Sequence, residues 1–274
     1  MAVTYHNGIS ILQLIVYLPV FFLSAFLVFR HGLRRSSGFF FLNVFAQARV
    51  VGTCCDLATI NNPTAMGLYV ASAVCSSIGL SPLLLACTGL LSRANLSVRN
   101  TTGRQPLPHF AFYFFHCLTI TCLALTVAGI TADMSPQAMQ NPDIKIKVGV
   151  ILFFVSWMVM CLFLVVLVWQ RDSLEKGEHR NIVAVGISAP FLLVRILYSV
   201  VMWFSRNPDF SLFNGNVTVQ LVMSVLEELV VVVVCLAVGM TLRVRGKTSS
   251  REEEVDASDH LLASYVLKPY IGSR

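Results

Sequence analysis

Seven stretches of roughly 20 apolar residues run through this chain, at about 10–29, 38–60, 66–91, 109–131, 147–170, 181–204 and 216–241. Each is long enough to cross the hydrocarbon core of a bilayer as a helix. Lipid offers no water to backbone amides, so only helices or a closed barrel can span it. Barrel strands alternate apolar and polar residues in segments of about ten, whereas these runs are continuous. The expected fold is therefore all-α, a seven-transmembrane helical bundle. Composition agrees: 56% of residues are hydrophobic and 12% charged, against about 25% charged in soluble proteins. The first run lacks a basic leader and a small-residue cleavage site, so it is expected to stay as a helix.

The net charge of +6 could signal nucleic acid, but the positions of the cationic residues point to membrane topology instead. Arg30, Arg34, Arg35, Arg93, Arg99, Arg104, Arg171, Lys176, Arg180 and six residues of the tail fall on one side of the expected spans. Lys145, Lys147 and Arg206 fall on the other, a split of 15 to 3. The positive-inside rule makes the basic side cytoplasmic, with the N-terminus outside (lumenal) and the C-terminus in the cytoplasm. No nucleic-acid partner is expected. The sequons at Asn95 and Asn100 fall in an expected cytoplasmic loop and read as chance matches, while the one at Asn216 abuts the seventh run. All eight cysteines lie within the spans, so none is placed for an external disulfide. Residues 1–245 form the expected membrane domain. Residues 246–274 gain Ser, Glu and Asp and read as a disordered cytoplasmic tail.

Five charged residues interrupt the apolar runs: Arg49 and Asp56 in the second, Arg195 in the sixth, and Glu227 and Glu228 in the seventh. Each would cost roughly 2.5 to 3.5 kcal/mol at the centre of a membrane helix, so such residues face the bundle interior and have partners. Arg49 and Asp56 are two turns apart and share a face with Thr53 between them; Arg195 and Tyr198 share another. Glu227 and Glu228 differ by about 100° around the axis, so they cannot both point inward. Glu227 lies on the stripe of Gln220 and Ser224 and is the expected inward acid. Glu228 lies with Leu221, Val225 and Val232.

Three acids face two guanidiniums, and arginine does not give up its proton. Two ion pairs would leave one carboxyl over, and an unpaired carboxyl out of water is expected to stay neutral and able to donate a proton. Glu227, Asp56 and Glu228 are accordingly the candidate catalytic acids, with Arg49, Arg195, Tyr198 and Gln220 as a supporting polar network. The competing reading of the same residues is an interhelical network that fixes packing and does no chemistry.

Several chemistries lack their residues. The last span has no lysine for a retinal Schiff base, and no Asp-Asp-x-x-Asp cluster or P-loop is present to hold a diphosphate through Mg²⁺. Zinc-ligand spacing, a Gly-x-Ser-x-Gly elbow and a dinucleotide fingerprint are also missing. No metal or other cofactor is expected.

At "FRHGLRRSSGFFFLNVFAQARVVG" (29–52), "SIGLSPLLLACTGLLSRAN" (77–95), "PFLLVRILYSVV" (190–201) and "LEELVVVVV" (226–234), the chain resembles a fungal family of seven-helix membrane proteins of unknown function. Members of that family often sit in secondary-metabolite gene clusters, and the resemblance implies a biosynthetic role. In size and helix number the chain is also similar to the small integral-membrane cyclases of fungal meroterpenoid pathways. Those enzymes protonate a terminal epoxide or alkene of a prenylated aromatic with membrane carboxylates. This second likeness implies a terpene cyclase of isomerase or lyase type, with Asp56 and Glu227 as the acid pair and a lipophilic substrate entering from the membrane lipid. The expected location is multi-pass, in the endoplasmic reticulum ahead of the plasma membrane. A receptor or sensor is the alternative, although "LLSRAN" stands where an Asp-Arg-Tyr triplet would, and no Asn-Pro-x-x-Tyr follows in the seventh span. A transporter is the third reading, with no inverted repeat in view.

Overall fold

The computed structural model describes residues 5–31, 37–62, 65–103, 106–132, 143–171, 174, 177–204 and 221–242. These all belong to the first of two units, Met1–Leu242 and Arg243–Arg274. Asn216, Gln220 and the expected tail at 246–274 lie outside the described residues. Among the described residues the regular structure is helical throughout: α1 (Tyr5–His31), α2 (Ser37–Ala58), α3 (Met66–Ile78), α4 (Leu80–Thr102), α5 (His109–Ala132), α6 (Ile144–Trp169), α7 (His179–Phe204) and α8 (Glu227–Thr241). A π-helical turn, Leu221–Leu226, leads into α8. Among the described residues six segments are long and apolar enough to cross a membrane, with α3 and α4 counted together as Gly67–Thr102. The chain is an integral, multi-pass membrane protein.

α4 is the axis of the bundle. Sixteen of its 23 residues are buried, and it touches α2, α5, α6, α7 and α8. Around it the other helices close a ring, from α1 to α2, α3, α5, α6, α7, α8 and back to α1. Lipid gives no hydrophobic force to hold such a ring, so close backbone approach and polar contacts must do it. The buried faces bear this out in a seven-residue rhythm: Ser10, Tyr17 and Ser24 on α1; Ser81, Thr88 and Asn95 on α4; Asn181, Ser188 and Arg195 on α7. Glycines bring other pairs together. A Cβ on Gly149 would stand 2.7 Å from Thr126 Cγ2, and one on Gly239 would stand 2.5 Å from Phe39 Cε1.

The third expected span is two helices joined at Gly79. Pro82 has no N–H, so the carbonyl of Ile78, four residues back, loses its helical donor. The hydroxyl of Ser81 donates to that carbonyl instead, at 3.1 Å. Beyond the joint, α4 continues where a loop was expected and stops only at Gly103, whose φ of +70° closes the helix with an N–H to Arg99 O bond of 2.8 Å. Asn95 and Asn100 are therefore helical. The 36 residues from Gly67 to Thr102 run for about 54 Å, well beyond a bilayer core of about 30 Å. Asn95 is buried, its amide donating to Leu107 O at 2.9 Å and accepting from Leu107 N at 3.1 Å. Nearby, Arg93 on α4 pairs with Glu178 at 3.1 Å, ahead of α7.

Candidate functional site: two arginines on one carboxylate

α2, α7 and α8 each bring one charged side chain to a common point. Glu228 is 1% exposed, and its Oε1 accepts from two guanidiniums, Arg49 through Nη2 and Arg195 through Nε, the latter at 2.8 Å. Arg195 Nη1 also donates to Ser199 Oγ, one turn on, at 2.7 Å. Aromatic rings flank both cations: Arg49 Cζ lies 5.6 Å from the Phe45 ring centre and Arg195 Cζ lies 5.8 Å from that of Tyr198. Such contacts are worth about 0.5 to 2 kcal/mol. Phe45 in turn meets the edge of Tyr17, centre to centre 5.6 Å. Gly79 completes the enclosure, since a Cβ there would stand 3.0 Å from Arg49 Nη2. Tyr17 Oη, Arg49 Nε and Glu228 Oε2 are buried with no hydrogen-bond partner among the described residues.

The inward acid is Glu228, not Glu227 as the stripe through Gln220 and Ser224 suggested. That stripe was projected at 3.6 residues per turn, and the i→i+5 geometry of Leu221–Leu226 breaks its phase before it reaches α8. Within α8 the buried stripe is Glu228, Val231, Val232, Cys235, Leu236 and Gly239. Glu227 is half-buried beside it, with Oε2 sealed and unpartnered among the described residues.

The expected division into two ion pairs and a spare acid also gives way. One carboxylate holds both arginines. Asp56 lies about 10 Å further along α2 than Arg49, where the hydroxyl of Ser10 on α1 donates to it. Arg49 and Thr53 do share a buried face, with Thr53 Oγ1 donating to Arg49 O at 2.8 Å, and Arg195 and Tyr198 share another. Gln220 lies outside the described residues. Tyr17, Ser10, Ser199 and Gly79 were missed. The available signal was the spacing of Ser10, Tyr17 and Ser24, three hydroxyls on one face of an apolar helix.

A cleft opens beside this cluster where α3, α5, α6 and α7 meet, lined in part by Ser76, Ser77, Thr126, Phe153, Arg195 and Trp203. Its volume is about 30 Å³, room for one or two waters. Among the described residues Arg195 is the one charged residue in its wall, and no carboxyl lines it. Among the described residues no three His, Cys, Asp or Glu side chains converge as a metal site would require.

A helical membrane bundle with an arginine-rich ion cluster at its centre is the class these features define. The model of the family described as "Domain of unknown function (DUF7702)" matches residues 3–245, and the chain belongs to that family. No curated protein and no solved structure matches it.

Proposed function

We propose that the chain is a membrane-embedded binding protein, of the receptor or sensor kind, that takes a lipophilic small molecule from the bilayer into the cleft beside Arg195. The observation that carries this is the sharing of Arg195 between the cleft wall and the ion cluster. An occupant touching Arg195 acts directly on the contact that ties α2, α7 and α8 together, which is how a binding event reaches helix packing. The proposal includes a seventh crossing formed by residues 221–241 and whatever precedes them. It places the N-terminus outside and the C-terminus in the cytoplasm, on the strength of the 15 to 3 division of Lys and Arg. It takes the endoplasmic reticulum ahead of the plasma membrane as the location. The test is extraction of the purified protein with organic solvent and mass spectrometry of what it carries. A lipophilic species held by the natural chain and lost on Ser77→Phe, which fills the cleft, is expected; bulk lipid alone in both would refute the reading.

A second reading, a terpene cyclase of fungal meroterpenoid metabolism, rests on Glu227. Its Oε2 is buried and uncommitted among the described residues, whereas Glu228 is committed to two guanidiniums. Glu227, with Asp56, is then the acid to test. This reading requires the cleft to widen, because sites for drug-sized ligands are about 300 Å³ or more, and to reach Glu227 or Asp56, neither of which is among its described lining residues. In a host supplied with an epoxidised prenyl aromatic, a new cyclised product that disappears with Glu227→Gln or Asp56→Asn would support it. An unchanged product profile with verified membrane expression would remove it.

A further inference from the structure

We infer that the molecule received beside Arg195 carries an anionic head group, a carboxylate, sulfate or phosphate on an apolar tail. This rests on the binding reading above. The charges at the centre of the bundle do not balance: two guanidiniums share one carboxylate oxygen, and no other Asp or Glu makes an ion pair with either of them among the described residues. Arg49 and Arg195 are 6% and 4% exposed, so solvent does little to screen the surplus positive charge. Helical bundles normally bring such charges in as compensated sets.

Among the described residues the surplus has one outlet. Arg49 is walled in by Phe45, Gly79 and Glu228, whereas Arg195 forms part of the cleft wall. Arg195 commits Nε to Glu228 and Nη1 to Ser199, which among the described residues leaves Nη2 for a ligand. Ser76 and Ser77 stand in the same wall, and their hydroxyls can donate to an anion's remaining oxygens, whereas the Thr126 hydroxyl is already donated to the carbonyls of Cys122 and Leu123. Phe153, Met202 and Trp203 supply apolar surface on which a tail can lie. The small volume suits a head group with the chain trailing into lipid, and a guanidinium edge matches a carboxylate or phosphate better than it matches an alcohol.

The test uses the full chain in nanodiscs of neutral lipid, with 9,10-dibromostearate and the corresponding dibromo alcohol as quenchers of tryptophan fluorescence. The pH is kept alkaline so that the fatty acid is ionised. The part of the signal abolished by Trp203→Phe reports the cleft. The acid is expected to quench that part saturably at a mole fraction about tenfold lower than the alcohol, a preference kept by Arg195→Lys and lost in Arg195→Gln. The comparison of acid and alcohol in the unaltered chain decides the matter even if Arg195→Gln does not fold. Equal saturable quenching by acid and alcohol overturns the anionic head group and leaves the binding site standing. Absence of saturable quenching by either overturns both. Displacement of the acid by millimolar inorganic phosphate assigns the charge to a free anion and overturns the head-group form of the inference.

Discussion

Glu227 and Glu228 are adjacent in sequence yet differ in what their removal would strand. Glu228→Gln leaves two buried guanidiniums facing each other without a counter-ion, and breaking a buried pair in this way costs about 3 to 5 kcal/mol. Glu227→Gln removes a group with no hydrogen-bond partner among the described residues and is expected to change stability by less than about 1 kcal/mol. Thermal unfolding of both variants in one detergent checks this, and equal losses would contradict the inward assignment of Glu228. Asn95 offers a second contrast. Asn95→Ala strands the buried backbone N–H and C=O of Leu107, a loss of about 1 to 3 kcal/mol, read by the same unfolding measurement. The buried side chain at Asn95 also predicts that Asn95→Gln changes the mass of the chain from a glycosylating host by the added methylene alone, with no glycan lost. At this scale the sequence exposed the shared faces of Arg49 with Thr53 and of Arg195 with Tyr198, because both pairs lie within uninterrupted α-helix. It ranked Glu227 above Glu228, the wrong way round, because the stripe through Gln220 and Ser224 crosses a turn that is not α-helical.

Among the helices, the inward faces were harder to read than the helices themselves. In water an apolar stripe marks the buried side, but here lipid-facing positions are apolar too, as Ile15, Phe29, Val165 and Trp169 illustrate at 61% exposed or more. Small and hydroxyl residues carry the information instead. On α8, Cys235 and Gly239 lie on the stripe of Glu228, a cue independent of the π-helical turn. The same logic yields a test of packing. Gly129 faces Ile146 so closely that a Cβ would stand 2.4 Å from its Cγ1 and 3.1 Å from its backbone nitrogen, while nothing lies within 4 Å of the corresponding position at Gly67. Gly129→Val is expected to force α5 and α6 apart at a cost of at least about 1 to 3 kcal/mol. Gly67→Ala should be close to neutral. A similar melting temperature for the two would mean that α5 and α6 are not in backbone contact.

For the molecule as a whole, length and hydropathy gave the helical membrane character, and the arginines and lysines gave an orientation that can be tested directly. With seven crossings, a glycosylation acceptor appended before Met1 is expected to be modified and one appended after Arg274 is not. Modification at both ends, or at neither, would show an even number of crossings. What no pattern in the chain exposed is the place of α4 at the axis, since the order of neighbours in a bundle depends on which faces meet and not on any one segment. The late end of α4 at Thr102 escaped notice for a simpler reason: Ser, Arg and Asn at 92–102 read as a loop by polarity, although Gly103 is the first residue there suited to end a helix.

The joint at Gly79 has a mechanical consequence. The α3 segment that carries Ser76 and Ser77 ends within three residues of the backbone on which the Arg49 guanidinium rests, and it is held to α4 there through a hydroxyl in place of a peptide N–H. Whatever wedges that wall outward must also shift the cushion beneath the arginine, so prying the bundle open and loosening its central knot are one movement.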